Sequence, residues 1–345
     1  MNSKSAVMRV LQHASFGDPA EVLEILEGPV PEPGPGELVV ALEAASIHAG
    51  DLKNIAGEKT MLRNVEQGGD NLGVDLPQVP GIEGVGRVIA ADAAVGRYSV
   101  GDRVLLPWQS GSWRTHICLP EDGFMPAPDA GSAVQLALMV NAFTAYFALS
   151  DLADLKAGDW FVQNAANSNV GRVLIRLARE RGVRTLNIVR RPEVVDELKA
   201  AGADLVLLDG PDLPERVRAA VAGARLMIGL DSISGDATAR LAACLTDGGT
   251  VANMGTMSGA PCHMPMWILH YKRVALIGYY AGHNIAARSK EEQATIISWL
   301  SERIAQGDLG AKIAGEYRLD DYRDAVRHAA RSGEARDGKV VFTFP

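Results

Sequence analysis

Asp159-Trp-Phe-Val-Gln-Asn-Ala-Ala-Asn-Ser-Asn-Val-Gly171 leads through a helical pattern into Leu186-Asn-Ile-Val-Arg-Arg191. An apolar strand ends in a turn of small residues, a helix follows, and a second strand ends on two arginines. This order predicts a nucleotide-binding βαβ unit, because the N–H groups and positive dipole end at a helix N-terminus bind pyrophosphate. Ala165, Ser168 and Gly171 form only a degenerate glycine-rich fingerprint, so an ordinary strand–turn–helix stays open as the alternative.

The end of the second strand distinguishes between two dinucleotides. Chains that bind NAD usually place Asp or Glu about 20 residues after the fingerprint, where it binds the ribose 2′-OH. Here Arg190 and Arg191 occupy that position, and no carboxylate lies between Leu186 and Pro192. A planar guanidinium suits a 2′-phosphate. The sequence therefore favours NADPH, with two solvated arginines before a helix as the alternative.

Composition and charge exclude several classes of protein. The 345 residues carry a formal net charge of −8, whereas a nucleic-acid surface requires a basic face. Cys118, Cys244 and Cys262 are odd in number and scattered, which argues against a disulfide framework. No apolar run has the roughly 18 residues of a membrane span, and the first residues show no targeting pattern. We expect a reduced, cytoplasmic protein that binds neither nucleic acid nor membrane.

Two different patterns divide the chain. Up to about residue 140, short strand patterns alternate with Gly/Pro turns such as residues 31–37 and 80–86, which predicts a small β-rich domain. After residue 132, helical and strand patterns alternate, which predicts a parallel sheet with helices on both faces. The strand pattern at 338–344 stands outside that alternation and is expected to return to the first domain. The predicted fold class is α/β, with a doubly wound parallel (Rossmann) sheet beside a β-rich domain.

Five short motifs follow one another along most of the chain. They are Pro80-Gly-Ile-Glu-Gly-Val-Gly86, Gly111-Ser-Trp-Arg-Thr115, Val140-Asn-Ala-Phe-Thr-Ala-Tyr146, Gln163-Asn-Ala-Ala-Asn-Ser168 and Asn187-Ile-Val-Arg190. Together they resemble the zinc-free branch of the medium-chain dehydrogenase/reductase superfamily, and within it the NADPH-dependent 2-enoyl thioester reductases of the mitochondrial type. The resemblance implies a GroES-like substrate and catalytic domain at residues 1–138 and 312–345. It implies an NADPH-binding Rossmann domain at residues 139–311.

The same resemblance implies where the cofactor is bound. Asn141, Tyr279 and Tyr280 would lie near the nicotinamide. Residues 167–170 would lie on the pyrophosphate side, with Arg190 and Arg191 on the 2′-phosphate. Residues 254–257 would line the groove, and Lys339 would reach the site from the last strand. The implied residues are Asn141, Asn167, Ser168, Asn169, Val170, Arg190, Arg191, Met254, Gly255, Thr256, Met257, Tyr279, Tyr280 and Lys339. A simple turn at Gly255 and a solvated strand residue at Lys339 are the alternatives.

Zinc chemistry is not expected. Zinc-dependent relatives use a Cys, a His and a Cys at positions that carry His48, Ile82 and Asn141 here. One imidazole cannot hold a catalytic zinc ion, which needs three protein ligands. The four-cysteine lobe that binds structural zinc in those relatives is also missing. We predict no metal.

The proton donor is where this sequence departs from the enzymes it resembles. Reduction of an enoyl double bond adds hydride to the β-carbon and a proton to the α-carbon, and the resemblance implies a tyrosine just after an Ile-x-Gly turn as the donor. Here the turn is Ile55-Ala-Gly57, and Lys59 falls where the tyrosine belongs. The catalytic candidates are therefore Lys59, His48 and Trp113. A surface lysine, a structural histidine, a proton donor from the loop between Thr60 and Asp70, and protonation of an enolate by solvent are the alternatives.

Arg114 follows Trp113, and two interpretations of it stay open. It faces a substrate carboxylate or a CoA phosphate, or it connects two strands through Asp or Glu. The overall hypothesis is an NADPH-dependent reductase of a 2-enoyl thioester or related α,β-unsaturated carbonyl, carried by CoA or a carrier protein or free. A quinone-type oxidoreductase and a non-catalytic NADPH-binding sensor or scaffold are the rivals. The resemblance also suggests a homodimer in which the 274–279 strand pairs with its copy.

Overall fold

The computed structural model describes residues 7–58, 76–221, 223–331 and 338–345. The chain divides into two compact units. The first is drawn from Met1–Met139 and Ala294–Pro345, and the second is Val140–Gln293. None of the helices within the described ranges has the length and apolar character needed to cross a membrane.

Strands and helices alternate through most of the described chain. The strands are β1 Val7–His13, β2 Leu23–Pro29, β3 Glu37–Ile47, β4 Gly84–Ala91, β5 Arg103–Leu105, β6 His116–Pro120, β7 Met125–Pro126, β8 Trp160–Asn164, β9 Arg184–Val189, β10 Leu205–Leu208, β11 Ile228–Asp231, β12 Thr250–Asn253, β13 Ala275–Gly278, β14 Ile313–Tyr317 and β15 Lys339–Thr343. The α-helices are α1 Pro19–Val22, α2 Ala49–Ala56, α3 Ala133–Leu136, α4 Met139–Asp151, α5 Asn169–Glu180, α6 Val195–Ala200, α7 Leu213–Ala220, α8 Asp236–Cys244, α9 Met266–His270, α10 Ala281–Ala286, α11 Lys290–Ala305 and α12 Tyr322–Ala330.

The first unit is built on a seven-stranded sheet. Its order is β14-β15-β3-β4-β5-β7, and β6 pairs with β3. Strand β3 is long and almost wholly buried, because it pairs with three strands and has apolar residues on both faces. The last strand, β15, lies antiparallel to β3, with Val340 opposite Ile47. The expectation that the chain end returns to the first domain is confirmed.

The second unit is a parallel sheet of six strands in the order β10-β9-β8-β11-β12-β13. The strands run outward from β8 in one direction and from β11 in the other. This is the doubly wound Rossmann order, in which ligands bind beyond the carboxyl ends of the strands where the order reverses. The predicted fold class, a Rossmann sheet beside a β-rich domain, is confirmed.

Trp113 lies in the core of the first unit. Its side chain is fully buried and packs edge-on against Phe342, with ring centroids 5.3 Å apart. The indole N–H donates a 3.0 Å hydrogen bond to the carbonyl oxygen of Ser46. A side chain with no exposed surface does not contact a substrate in this conformation. The placement supports a structural role for Trp113 and not the predicted catalytic one.

The N-terminus of α2 is capped by an acidic side chain from its own first turn. Asp51 accepts a 2.8 Å hydrogen bond from the backbone N–H of His48, the residue before the helix. A second backbone N–H, that of Gly81, also donates to this carboxylate. Asp51 is buried, and desolvation raises its pKa to about 6 despite these favourable contacts and the nearby His48.

Replacing Asp51 by Asn should change how stability depends on pH. The folded-state pKa of about 6 lies above the ordinary value of about 4, so the folded protein binds this proton more tightly than the unfolded chain. The contribution of Asp51 to the free energy of unfolding is therefore largest below pH 4 and decreases as the pH rises to 6. The free energy of unfolding of wild type, minus that of D51N, should fall by about 2 kcal/mol between pH 4 and pH 7. Urea titrations of both proteins measure this difference, and a difference that stays constant or rises with pH contradicts it.

Candidate functional site

The turn between β8 and α5 is shaped to bring backbone close to a ligand. Ala165 has a positive φ of 48°, and the Ser168 side chain accepts a hydrogen bond of 3.2 Å from the N–H of Gly171. A Cβ atom on Gly171 would lie 2.4 Å from the carbonyl oxygen of Ala166, so only glycine permits this packing. The degenerate fingerprint therefore forms the tight strand–turn–helix that the sequence predicts.

The N-terminus of α5 has unused capacity for a ligand. The helix spans 12 residues and carries no acidic residue in its first turn. Its amide dipoles are therefore not neutralised by a neighbouring carboxylate, and they favour an anion. The side-chain oxygen of Asn169 is buried and has no hydrogen-bond partner. Asn167 to Val170, all predicted as pyrophosphate contacts, are half-buried around this helix end.

Asp231 organises the carboxyl end of the sheet. This last residue of β11 is fully buried, and its carboxylate accepts hydrogen bonds from two strands, one helix and the turn that follows it. The donors are Asn164 Nδ2 at 2.6 Å, Thr238 Oγ1 at 2.6 Å, Asn253 Nδ2 at 3.1 Å, and the backbone N–H groups of Ile233 at 2.9 Å and Ser234 at 3.2 Å. A buried carboxylate with this many donors compensates for its desolvation and fixes the geometry of the groups that donate to it.

The loop after β12 is attached to the same network. The backbone N–H of Met254 donates to the carbonyl oxygen of Asp231 at 2.8 Å. The carbonyl oxygen of Gly255 accepts from Ser234 Oγ at 2.7 Å and from Asn253 Nδ2 at 3.0 Å. The structure therefore places the predicted segment Met254, Gly255, Thr256 and Met257 beside the ends of β11 and β8, on the edge where α5 begins.

Arg190 is an exposed cation just beyond β9. Among the described residues it forms no ion pair, whereas the nearest acidic strand end is already neutralised. That residue, Asp209, donates its backbone N–H to the carbonyl oxygen of Val189 and forms a two-point ion pair with Arg240, at 2.6 and 2.7 Å. The Asp209 carboxylate is therefore not free to compete with an anion for Arg190. Arg191 follows it and caps a short 3₁₀ turn.

Several implied cofactor residues lie elsewhere in the two units. Tyr279 is buried and donates its hydroxyl to the carbonyl oxygen of Thr144 at 2.7 Å, and burial raises the pKa of this phenol. It therefore attaches the end of β13 to α4. Asn141 is buried in α4, and Tyr280 is exposed and contacts the His283 ring edge-on. Lys339 begins β15 in the first unit.

The first unit contains a separate polar cluster at the start of α2. His48 Nε2 lies 2.6 Å from Glu83 Oε1, and Ser46 Oγ donates to the same carboxylate oxygen at 3.1 Å. The His48 and Glu83 side chains are 12% and 7% exposed, so water screens the contact between them only weakly. A carboxylate at this distance orients an imidazole. The described residues hold no group of three His, Cys, Asp or Glu side chains arranged for a metal ion. The predicted Lys59 lies outside the described residues.

Sequence reasoning missed most of the residues that build these sites. Asp231, Asn164 and Asn253 were not singled out, although each ends a strand of the parallel sheet. Arg172 was also missed. Its guanidinium bonds to the carbonyl oxygen of Asn167 at 3.1 Å and pairs with Glu197, which connects α5 to α6. The available signal was the recurrence of Asp and Asn at the ends of successive predicted strands.

Two family models match the chain in the order of its two units. The alcohol dehydrogenase GroES-like domain matches residues 34–140, and the zinc-binding dehydrogenase domain matches residues 169–302. Among curated proteins, the mitochondrial enoyl-acyl-carrier-protein reductase of Rattus norvegicus is 31% identical over 332 residues, covering 94% of this chain and 86% of the relative. The Homo sapiens enzyme is 30% identical over 333 residues, with the same two shares.

Solved structures give the same fold. The complex of Etr1p with NADP and crotonyl-CoA has a TM-score of 0.85 at 22% identity, covering 98% of this chain and all of that one. A mycobacterial quinone oxidoreductase has a TM-score of 0.78 at 26% identity, again over 98% of this chain and 100% of that one. A mycobacterial protein solved with NADPH reaches 0.80 at 26% identity, with the same coverage.

The comparisons also correct one prediction. A cytoplasmic location is wrong, because the curated relatives that span most of this chain are named as mitochondrial proteins. Free cysteines indicate a reducing environment, which more than one compartment provides. Composition therefore does not distinguish one reducing compartment from another. Relatives of at least 30% identity along 94% of the chain, and the two family models, define the ancestry. The chain belongs to the medium-chain dehydrogenase/reductase superfamily and is homologous to the mitochondrial enoyl-acyl-carrier-protein reductases.

Proposed function

We propose that this protein is an NADPH-dependent reductase of activated carbon–carbon double bonds, with a 2-enoyl thioester as its substrate. One observation carries the proposal: an uncompensated Arg190 lies on the same sheet edge as a helix N-terminus suited to phosphate, in a chain homologous to enoyl reductases. The related mycobacterial structure that contains NADPH supports the choice of cofactor.

The residues of the sheet edge fit a phosphorylated dinucleotide. Backbone N–H groups at the start of α5 would bind the pyrophosphate, and the unpartnered oxygen of Asn169 would accept from a hydroxyl of the cofactor. Arg190, with Arg191 beside it, would bind the 2′-phosphate. The 254–257 loop, held by Asp231, would line the groove. When bound, NADPH supplies the hydride, and the protein supplies position and electrostatics.

We further propose His48 as the group that gives the proton to the α-carbon. Its imidazole is held by Glu83, which orients the ring for transfer of a proton. Trp113 has no exposed surface and would position this region through its bond to Ser46. Lys59 is the alternative acid, since it occupies the place of the tyrosine in related enzymes.

A quinone-type oxidoreductase is the second candidate. The mycobacterial quinone oxidoreductase matches nearly the whole chain at 26% identity. Quinone reduction requires no proton donor at a carbon atom, so it is compatible with the missing tyrosine. The sheet edge would bind NADPH in the same way in either enzyme, and only the acceptor distinguishes them.

Oxidation of NADPH against three acceptors tests the proposal. Crotonyl-CoA should be reduced, and both a neutral enone and a quinone should be poorer acceptors by kcat/KM. His48→Gln should lower kcat with crotonyl-CoA about 10²- to 10⁴-fold, the usual effect of losing a general acid. Lys59→Met is the matched variant and should leave kcat unchanged.

Each other outcome has a defined meaning. Turnover with the quinone alone contradicts the enoyl assignment and supports the second candidate. Loss of activity in K59M but not in H48Q transfers the acid role to Lys59. Tight binding of NADPH without turnover of any acceptor favours a sensor or scaffold.

We propose that two copies pair through β13. This strand is an edge of the six-stranded sheet, and all four of its residues are exposed, among them Leu276 and Ile277. Helix α9, a short distance earlier in the chain, exposes Met266 and Trp267. An apolar open edge is a template for another strand, and a two-fold axis lets one copy satisfy its mate.

Light scattering coupled to size-exclusion chromatography tests this pairing. Wild type should have twice the monomer mass of 36.7 kDa. Ile277→Lys should give a folded monomer, because it places a charge in the centre of the apolar edge. Val100→Lys, at an exposed valine of the first unit, is the control and should remain dimeric. A monomeric wild type, or an I277K protein that stays dimeric, contradicts the proposal.

A further inference from the structure

Arg114 is a cation for which the described structure provides no counter-charge. It lies in the segment between β5 and β6, and its backbone pairs with that of Val10 in β1. The guanidinium is largely buried, and burial alone lowers the pKa of Arg114, with no contribution from any acidic group. Among the described residues, no Asp or Glu lies within ion-pair distance of it. The interpretation in which Arg114 connects two strands through a carboxylate therefore has no support.

The other shielded arginines of this unit have acidic partners. Arg103 is buried and pairs with Glu43 at 2.6 Å, and Arg87 pairs with Glu43 at 3.1 Å. Arg9 pairs with Glu27 and with Asp320. Proteins rarely bury a charge without pairing it, because the desolvation is costly. Among the described residues Arg114 is the exception, which leaves its charge available to an anionic ligand.

The loop around Arg114 is built to hold the guanidinium. Nε donates a 2.7 Å hydrogen bond to the carbonyl oxygen of Gly111, so the terminal nitrogens are the ones left for an anion. Gly111 has a φ of +75°, and a Cβ atom there would lie 2.9 Å from Arg114 Nη2 and 2.8 Å from the carbonyl oxygen of Val79. Ser110, the preceding residue, has a buried hydroxyl oxygen without a hydrogen-bond partner. One short loop thus carries two polar groups with unfilled capacity.

The same loop is bonded to the segment that carries Glu83. Ser112 Oγ donates to the carbonyl oxygen of Glu83 at 2.7 Å, and the backbone N–H of Trp113 donates to that of Pro80 at 3.0 Å. Glu83 is the partner of His48. Arg114 is therefore held by the framework that positions the proposed general acid, within one compact unit.

We propose that Arg114 binds an anionic oxygen of the substrate, either a phosphate of a CoA thioester or the carboxylate of a free 2-enoic acid. The inference rests on the proposed function and narrows its substrate class. A guanidinium fork distinguishes such a substrate from a neutral quinone or enone, because only an anion compensates for the buried charge. Arg114 would act in binding, so its contribution belongs in KM and not in kcat.

Three substrates that share one double bond test the assignment. Crotonyl-CoA carries phosphates, crotonic acid carries a carboxylate, and the N-acetylcysteamine thioester of crotonate is neutral. Arg114→Gln should raise KM about 10- to 100-fold for the substrate whose anion it binds, the effect of losing a charge-assisted hydrogen bond. It should leave KM for the neutral thioester within twofold and kcat unchanged. Arg97→Gln removes an exposed arginine of the same unit, one paired with Asp122, and should change nothing.

The pattern of effects identifies the source of the anion. An increase in KM confined to crotonyl-CoA assigns a phosphate, and one confined to crotonic acid assigns a carboxylate. An equal increase for all three substrates, or none, overturns the proposal. Arg114→Lys keeps the charge and should show a smaller increase, which replaces the R114Q measurement if that variant does not fold.

Calorimetric titration of crotonyl-CoA and of crotonic acid separates this inference from the proposed function, because it requires no turnover. A dissociation constant that rises in R114Q but not in R97Q supports Arg114 even if no acceptor is reduced. Dissociation constants for both ligands that are the same in wild type and R114Q overturn the Arg114 site even if the wild type reduces crotonyl-CoA.

Discussion

The buried carboxylate of Asp231 is the constraint on which the cofactor edge depends. A carboxylate removed from water must be surrounded by donors, and here they come from the ends of β8 and β12, from α8 and from the turn after β11. Satisfying one charge therefore fixes the relative positions of three adjacent strand ends. The turn that leads to α5 and the 254–257 loop take their geometry from this arrangement.

The fold was predictable because its signals are local. The pattern at 159–171 directly predicts a strand, a turn of small residues and the start of a helix. The alternation of strand and helix patterns after residue 132 predicts a parallel sheet. The arginines at 190 and 191 were proposed as cofactor contacts for the same reason, since their spacing from Gly171 is set by one βαβ unit. These features need no knowledge of which side chains meet.

The interior of the site was not predictable in this way. Asn164 and Asp231 are separated by 67 residues, and Ser46 and Trp113 by the same number, yet each pair shares a hydrogen bond. Local pattern does not report such convergence. Trp113 illustrates the result: an aromatic residue after a glycine turn fits a substrate wall and a core equally well, and only packing against Phe342 distinguishes them. Tyr279 likewise bonds to α4, which its position in a strand did not reveal.

The first unit uses charge differently from the second. Asp231 is satisfied within the protein, whereas Arg114 is shielded and has no acidic partner in the part of the chain that the structure describes. The His48 imidazole is held by the Glu83 carboxylate. Satisfied groups fix structure, and groups with unfilled capacity are available to a ligand. On this account one unit supplies a rigid edge for a dinucleotide, and the other supplies charged groups for the substrate.

Recognition of the 2′-phosphate by Arg190 is the most direct test of this account. Fluorescence titration of the full-length protein gives dissociation constants for NADPH and NADH under identical salt conditions. The account predicts that NADPH binds at least about 10-fold more tightly, as expected for a charge-assisted contact to phosphate, and that Arg190→Gln removes most of this preference. Equal affinity for the two dinucleotides, or tighter binding of NADH, would contradict it.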